Sequence, residues 1–128
     1  MKKKITLAVT GCLGRMGQQI IKSAYLDKNF SIVTLTENKV SKKKIKGILI
    51  ETNSEKSLAK ADIIIDFSHP KCTLDVLKIS AKLNKRVVIG TTGFTKKEEF
   101  LIKKYSKKIA ILKAGNMSLG INLLMYLT

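Results

Sequence analysis

The chain is poor in the residues from which several kinds of site are built. It holds two cysteines, one histidine, no tryptophan and only 5% aromatic residues among 128 positions. Cys12 and Cys72 stand far apart and form no C-x-x-C pair, which fits a reduced cytoplasmic compartment rather than a disulfide framework. With one histidine and no such pair, no metal site is expected. The aromatic residues are too sparse for a base-stacking platform. Long apolar runs are also missing. The longest uncharged stretch, residues 114–128, is too short for an ordinary membrane span. The start, MKKKITLAVTGCLG, imitates a signal peptide, but its apolar run ends in a glycine turn without a cleavage site. Acids are scarce as well, nine against 25 basic residues, for a formal charge of +16. All but two of those basic residues are lysines, and they are spread along every segment. The charge therefore reads as composition rather than a basic patch, and neither nucleic acid nor membrane is expected as a partner. No internal repeat or low-complexity linker divides the chain. Its length and 45% hydrophobic content suit one globular domain with one core.

What is present centres on Ile5 to Gly17, ITLAVTGCLGRMG. A short apolar run meets a turn with glycine at every third position, Gly11, Gly14 and Gly17, and a helical pattern follows. Strand, tight loop and helix start in this order form a dinucleotide pyrophosphate site. The first glycine turns the chain, the second lets backbone meet phosphate, and the third seats the helix on the sheet. The first-turn N–H groups and the positive end of the helix dipole then face the anion. The triplet alone is weak, and its context strengthens it.

Along the chain, Ile5–Thr10 reads as a buried strand. A helix follows with Met16, Ile20, Ile21, Ala24 and Tyr25 on one face. Ser31–Thr36 reads as a second strand ending at Glu37, about 20 residues beyond Gly17, where an acid can accept both hydroxyls of an adenosine ribose. Residues 38–47 read as a charged loop, Ile48–Thr52 as a short strand and Ser54–Ala59 as a helical turn. Ala61–Phe67 has the continuous apolar character of a central parallel strand. Ser68 and Pro70 open a helix carrying Leu74, Leu77 and Ala81. Arg86–Gly90 is a further strand, Thr95 and Glu98 form a capping box for a helix through about Tyr105, and Ile109–Leu112 is the next strand. The expected fold class is α/β, a doubly wound parallel sheet of Rossmann type with helices on both faces. Ligands bind such sheets at the carboxyl ends of the strands. That rule gathers the glycine loop, Glu37, Phe67-Ser68, Gly90-Thr91-Thr92 and Gly115-Asn116 around one crevice.

The runs VTGCLGRMG, DFSHP with a following Thr-Leu, VVIGTTGF and AGNMSLGIN resemble, in order and spacing, the dihydrodipicolinate reductases of bacterial lysine biosynthesis. These enzymes are also named 4-hydroxy-tetrahydrodipicolinate reductases. The resemblance covers essentially the whole chain. It implies that Gly11, Cys12, Leu13, Gly14, Arg15 and Met16 cradle the pyrophosphate of NADH or NADPH, with Arg15 alongside it. Glu37 would hold the adenosine ribose. Phe67, Gly90, Thr91, Thr92, Ala114, Gly115, Asn116 and Met117 would line the rest of the cofactor site, on the nicotinamide side for Gly90 to Thr92 and for residues 114–117. Asn116 and Ser118 also read as helix N-caps. His69 matches no catalytic position of the family, and Asp66 is assigned a structural role. Cys12 reads as a small filler within the loop.

Two departures bear on function. Family members that use NADPH readily often carry Arg after the ribose-binding acid, and this chain has Asn38 there. NADH, or use of both cofactors, is therefore favoured. The family's paired histidines, its lysine and its P-S-G-T run fall beyond Thr128. Residues 1–116 are thus expected to form the dinucleotide-binding domain. Residues 117–128 would begin the helix into a substrate domain, with Leu119, Leu123, Tyr126 and Leu127 at helical spacing. No catalytic residue is assigned. The implied small-molecule substrate is a cyclic dicarboxylate reduced by hydride transfer, in an enzyme that assembles as a homotetramer. A competing reading is a stand-alone dinucleotide sensor or nucleic-acid-binding module on the same fold.

Overall fold

The computed structural model describes residues 4–113. Residues 114–117 of the expected cofactor site and the whole 117–128 segment lie outside the described residues. The elements run β1 (Ile5–Thr10), α1 (Arg15–Leu26), β2 (Phe30–Glu37), β3 (Lys44–Ile45), β4 (Ile48–Thr52), α2 (Glu55–Leu58), β5 (Ile63–Asp66), α3 (Pro70–Leu83), β6 (Arg86–Ile89), α4 (Lys96–Tyr105) and β7 (Ile111–Lys113). They form one seven-stranded sheet of order β3-β4-β2-β1-β5-β6-β7. Every pairing is parallel except β3 with β4.

Strand alternation splits the core between the two faces of the sheet. Leu7, Val9, Ile63, Ile65 and Val88 pack with Ile20, Ile21 and Ala24 of α1. Ala8, Ile64, Val87 and Ile89 pack with Leu58, Val76, Leu77 and Ile102 of α2, α3 and α4. Both faces of β1 and β5 are therefore dry, which is why these strands read as unbroken apolar runs. The register slips once, between Leu7–Ile32 and Ala8–Thr34, leaving Val33 as the extra residue of a bulge in β2.

The strand expected at Ile109–Leu112 runs Ile111–Lys113, because residues 106–109 continue the turn that ends α4, and the one expected at Ala61–Phe67 is trimmed to Ile63–Asp66. The structure departs further in two places. The stretch 38–47 contains β3, which turns into β4 through Lys46 (φ 52°) and Gly47 (φ 79°). Two left-handed residues make the tight hairpin turn favoured between antiparallel strands. Lys-Gly lacks the usual Asn-Gly or Asp-Gly signature, so the lysine run hid it. Tyr25 is 58% exposed rather than part of the buried face of α1. It sits in the last helical turn, one position round from Ala24, and Lys46 Nζ lies 4.7 Å from its ring centre.

Candidate functional site

The carboxyl ends of β1, β2, β5 and β6 meet along one edge of the sheet. Gly11 leaves β1 with φ +67°, and a Cβ there would lie 2.5 Å from the Phe67 carbonyl oxygen. Backbone from two strand ends thus touches where only glycine fits. Gly17 is equally constrained, because its Cβ would stand 2.2 Å from the Gly11 carbonyl oxygen. These two glycines are explained by the chain's own packing. Gly14 is not. Its φ is −72°, and an added Cβ would meet nothing closer than 3.4 Å, an ordinary contact. Gly14 is also exposed, at the start of α1, where no side chain caps the helix and no acid lies in its first turn. The room above Gly14 together with the uncapped helix start fits a phosphate group approaching the backbone.

Glu37 closes the adjacent strand. Its Oε2 accepts the Leu13 N–H at 2.7 Å, so the acid is tied to the glycine loop itself. Gln18 holds the other side of that residue, with Nε2 donating to the Leu13 carbonyl at 2.8 Å. A cleft of about 170 Å³ runs past Gly11, Gly14, Glu37, Phe67, Ser68 and His69. It shares Glu37, Asn38, Asn53 and Cys72 with a neighbouring cleft of about 460 Å³ that continues towards Asp75 and Lys78 on α3. Their sizes suit the parts of an extended small molecule.

The wall formed by β5 and β6 is held differently. Asp66 is fully buried, and four hydroxyls converge on it. Oδ1 accepts from Thr10 and from Ser68 (2.5 Å), and Oδ2 from Thr73 and from Thr91 (3.1 Å). Thr91 Oγ1 also accepts the Ser68 N–H at 2.9 Å. The Phe67 ring lies against Gly90, where a Cβ would fall 1.8 Å from Cε1.

The expected residues are placed unequally. Gly11, Gly14, Glu37 and Phe67 line the cleft. Leu13, Arg15 and Thr92 are exposed beside the strand ends, and Met16 is half-buried. Cys12 is fully buried in the core, and burial, followed by the Glu37 charge, pushes its thiol up to about 11. That matches a filler and leaves only its backbone towards a ligand. Thr91 is 9% exposed with its hydroxyl engaged by Asp66 and Ser68. The roles of Thr10 and Thr73 were missed in the sequence. Their signal was a lone acid ending an apolar strand, with hydroxyl residues near three neighbouring element ends.

A Rossmann-type α/β domain with a glycine loop opposite an acid at the end of β2 defines a dinucleotide-binding class of protein. The family model "Dihydrodipicolinate reductase, N-terminus" matches residues 5–117, and the chain belongs to that family. The 4-hydroxy-tetrahydrodipicolinate reductase of Pelagibacter ubique (strain HTCC1062) is 68% identical over 98% of this chain and 49% of that protein. The same-named protein of Ralstonia pickettii (strain 12J) is 35% identical over 91% of this chain and 48% of its own length. The chain spans about half the length of the curated relatives it matches. Among solved structures, dipicolinate-bound dihydrodipicolinate reductase from Paenisporosarcina sp. TG-14 superposes with a TM-score of 0.70 at 23% identity. It covers 98% of this chain and 52% of that one. RSP, a Rex-family repressor, also reaches 0.70 at 14% identity, over 97% of this chain and 58% of its own. At such identities the likeness shows the fold alone.

Proposed function

We propose that this chain is the cofactor-binding portion of a 4-hydroxy-tetrahydrodipicolinate reductase that uses NADH, or NADH and NADPH, to reduce a cyclic dicarboxylate on the route to diaminopimelate and lysine. The observation that carries the reading is Gly14, a glycine that nothing in the chain's own packing demands, at an uncapped helix start. Gly11 to Met16 would hold the pyrophosphate through backbone N–H groups. Glu37 would offer the ribose diol the acceptor capacity left after its bond to Leu13. Gly90 to Thr92 and residues 114–117 would line the nicotinamide side. The bound nicotinamide supplies the hydride, while these residues bind and orient it. Turnover would need carboxylate-clamping and proton-donating groups from residues other than 1–128. This portion by itself would bind cofactor without reducing substrate, in a cytoplasmic protein whose complete form is a homotetramer.

Calorimetric titration of the unmutated chain and of Glu37→Ala with NADH and NADPH tests this reading. A bond to a charged group contributes about 1.5–3 kcal/mol, so the substitution should move selectivity towards NADPH by roughly tenfold or more. Lys39 and the lysines at 42–44 oppose the repulsion of a 2′-phosphate, but exposed lysines are screened and contribute little. Failure to bind either cofactor would overturn the function, and a strong preference for NADPH in the unmutated chain would overturn the assignment of NADH.

A further inference from the structure

We infer that Asp66 is a positioning residue that sets the hydroxyl of Thr91 and so fixes the wall of the crevice formed by β5 and β6. The inference rests on the dinucleotide reading for its consequence, but its geometry stands alone. A carboxylate offers about four lone-pair sites, and Asp66 meets four hydroxyl donors, two on each oxygen. The donors come from the end of β1 (Thr10), the loop after β5 (Ser68), α3 (Thr73) and the loop after β6 (Thr91). One buried group therefore ties together four segments, two of which flank the cleft.

The hydrogen at Thr91 can point only one way. Spent on Asp66 Oδ2, it leaves Oγ1 free to accept the Ser68 N–H, and that bond holds the residue after Phe67. A second tie runs alongside, with the Gly90 N–H donating to the Asp66 carbonyl at 2.8 Å. The Phe67 ring against Gly90 completes the wall. It follows that Thr91 has no hydroxyl proton to give a ligand. Ligand contact at this strand end passes through backbone and Thr92, with Asp66 acting on the ligand only through Thr91 and Ser68.

Asn at position 66 would keep the shape but turn one acceptor oxygen into an NH₂ donor, leaving two of the four hydroxyls facing a donor. Two measurements on Asp66→Asn, Thr91→Val and Thr91→Ser test the inference, with circular dichroism melts to verify folding. Amide hydrogen exchange at Ser68 should quicken about tenfold or more in Asp66→Asn and Thr91→Val and stay within about threefold in Thr91→Ser. Titration should show Asp66→Asn and Thr91→Val each losing roughly tenfold or more in NADH affinity, while Thr91→Ser, which keeps the hydroxyl, loses less than about threefold. Unchanged exchange at Ser68 in a folded Asp66→Asn, or a fall in NADH affinity in Thr91→Ser equal to that in Thr91→Val, overturns the positioning role. Should Asp66→Asn itself be too unstable, Thr91→Val carries both measurements with the same expected directions. An unmutated protein that ignores NADH counts against the proposed function, while exchange at Ser68 still decides whether Asp66 sets Thr91.

Discussion

Helices α1 and α4 both begin just past the carboxyl end of a parallel strand, yet they settle their first-turn donors in opposite ways. At α4 the chain is self-sufficient. Thr95 Oγ1 accepts the Glu98 N–H at 3.1 Å, Glu98 Oε1 accepts the Thr95 N–H at 2.8 Å, and Glu99 adds a second acid to the first turn. At α1 the N-cap is Gly14, with no side-chain cap and no acid in the first turn. The helix dipole and unpaired N–H groups are the same physical problem at both ends. One helix answers it with its own side chains, and the other presents backbone and space. Helix α2 is capped in the same way as α4, by a box from Ser54 and Ser57, so a cap is well within this sequence's means. Helix α3 also starts without a side-chain cap or a first-turn acid, behind Pro70, so what sets α1 apart is the room above Gly14, where the proposed phosphate would sit.

The largest effect expected from breaking that contrast is at Gly17. A Cβ there would stand 2.2 Å from backbone oxygen and 3.0 Å from Cys12 Cα, so Gly17→Ala must push α1 off the loop. We expect a loss of about 4 kcal/mol or more, comparable with the whole stability of many domains, seen as a collapse of the thermal melt. Gly14→Val is the matched control and the next effect in size. It should fold, since the first added carbon has 3.4 Å of room, yet lose roughly tenfold or more in NADH affinity because its branches occupy the phosphate's place. A folded Gly14→Val with undiminished binding would remove the phosphate from this loop.

At α4 the expected effect is smaller and of the other kind. Thr95→Ala removes one half of the capping box and should cost about 1 kcal/mol in chemical denaturation. NADH affinity should not change. If it did, the two helix starts would share a role, and the comparison would lose its meaning.

Elements with a strong local pattern were the most legible in the sequence. The strand at Ile5–Thr10 and the one at Ile48–Thr52 fall where the apolar pattern puts them, and the Thr95–Glu98 box starts its helix as read. Glycine spacing, an acid ending β2 and residues past strand ends are local signals, and parallel topology then gathers them. Non-local facts stayed hidden. The division of the glycines into two for the chain's own path and one left open was legible, but nothing in the sequence says that Glu37 reaches back to the Leu13 N–H, or that Gly11 meets the Phe67 carbonyl. Asp66 read as structural, but its four donors come from four separate segments and only the folded sheet brings them together.

The two cysteines provide the finest probe, since one lies in the α1 loop and the other at the crevice. Cys12 is fully buried, and its thiol is raised from 9.0 to about 11, chiefly by burial. Thiolate is the reactive form, so at pH 8 only about one Cys12 in a thousand is ionised, and iodoacetamide should leave it unlabelled. The sign for stability follows. A protonated Cys12 favours the fold, so its contribution is intact below pH 9 and is lost between pH 9 and about 11, where labelling should begin. Cys72 is half-buried and borders both clefts, and burial raises its thiol as well. It should label slowly but ahead of Cys12. If the crevice takes a dinucleotide, NADH should slow labelling at Cys72 by about threefold or more, since a bound molecule covers the cleft, and should do nothing at Cys12. Mass spectrometry of the labelled peptides separates the two sites. Rapid labelling of Cys12 at pH 8 would mean that the α1 loop opens its side chains to solvent, contrary to a loop that meets its ligand through backbone alone.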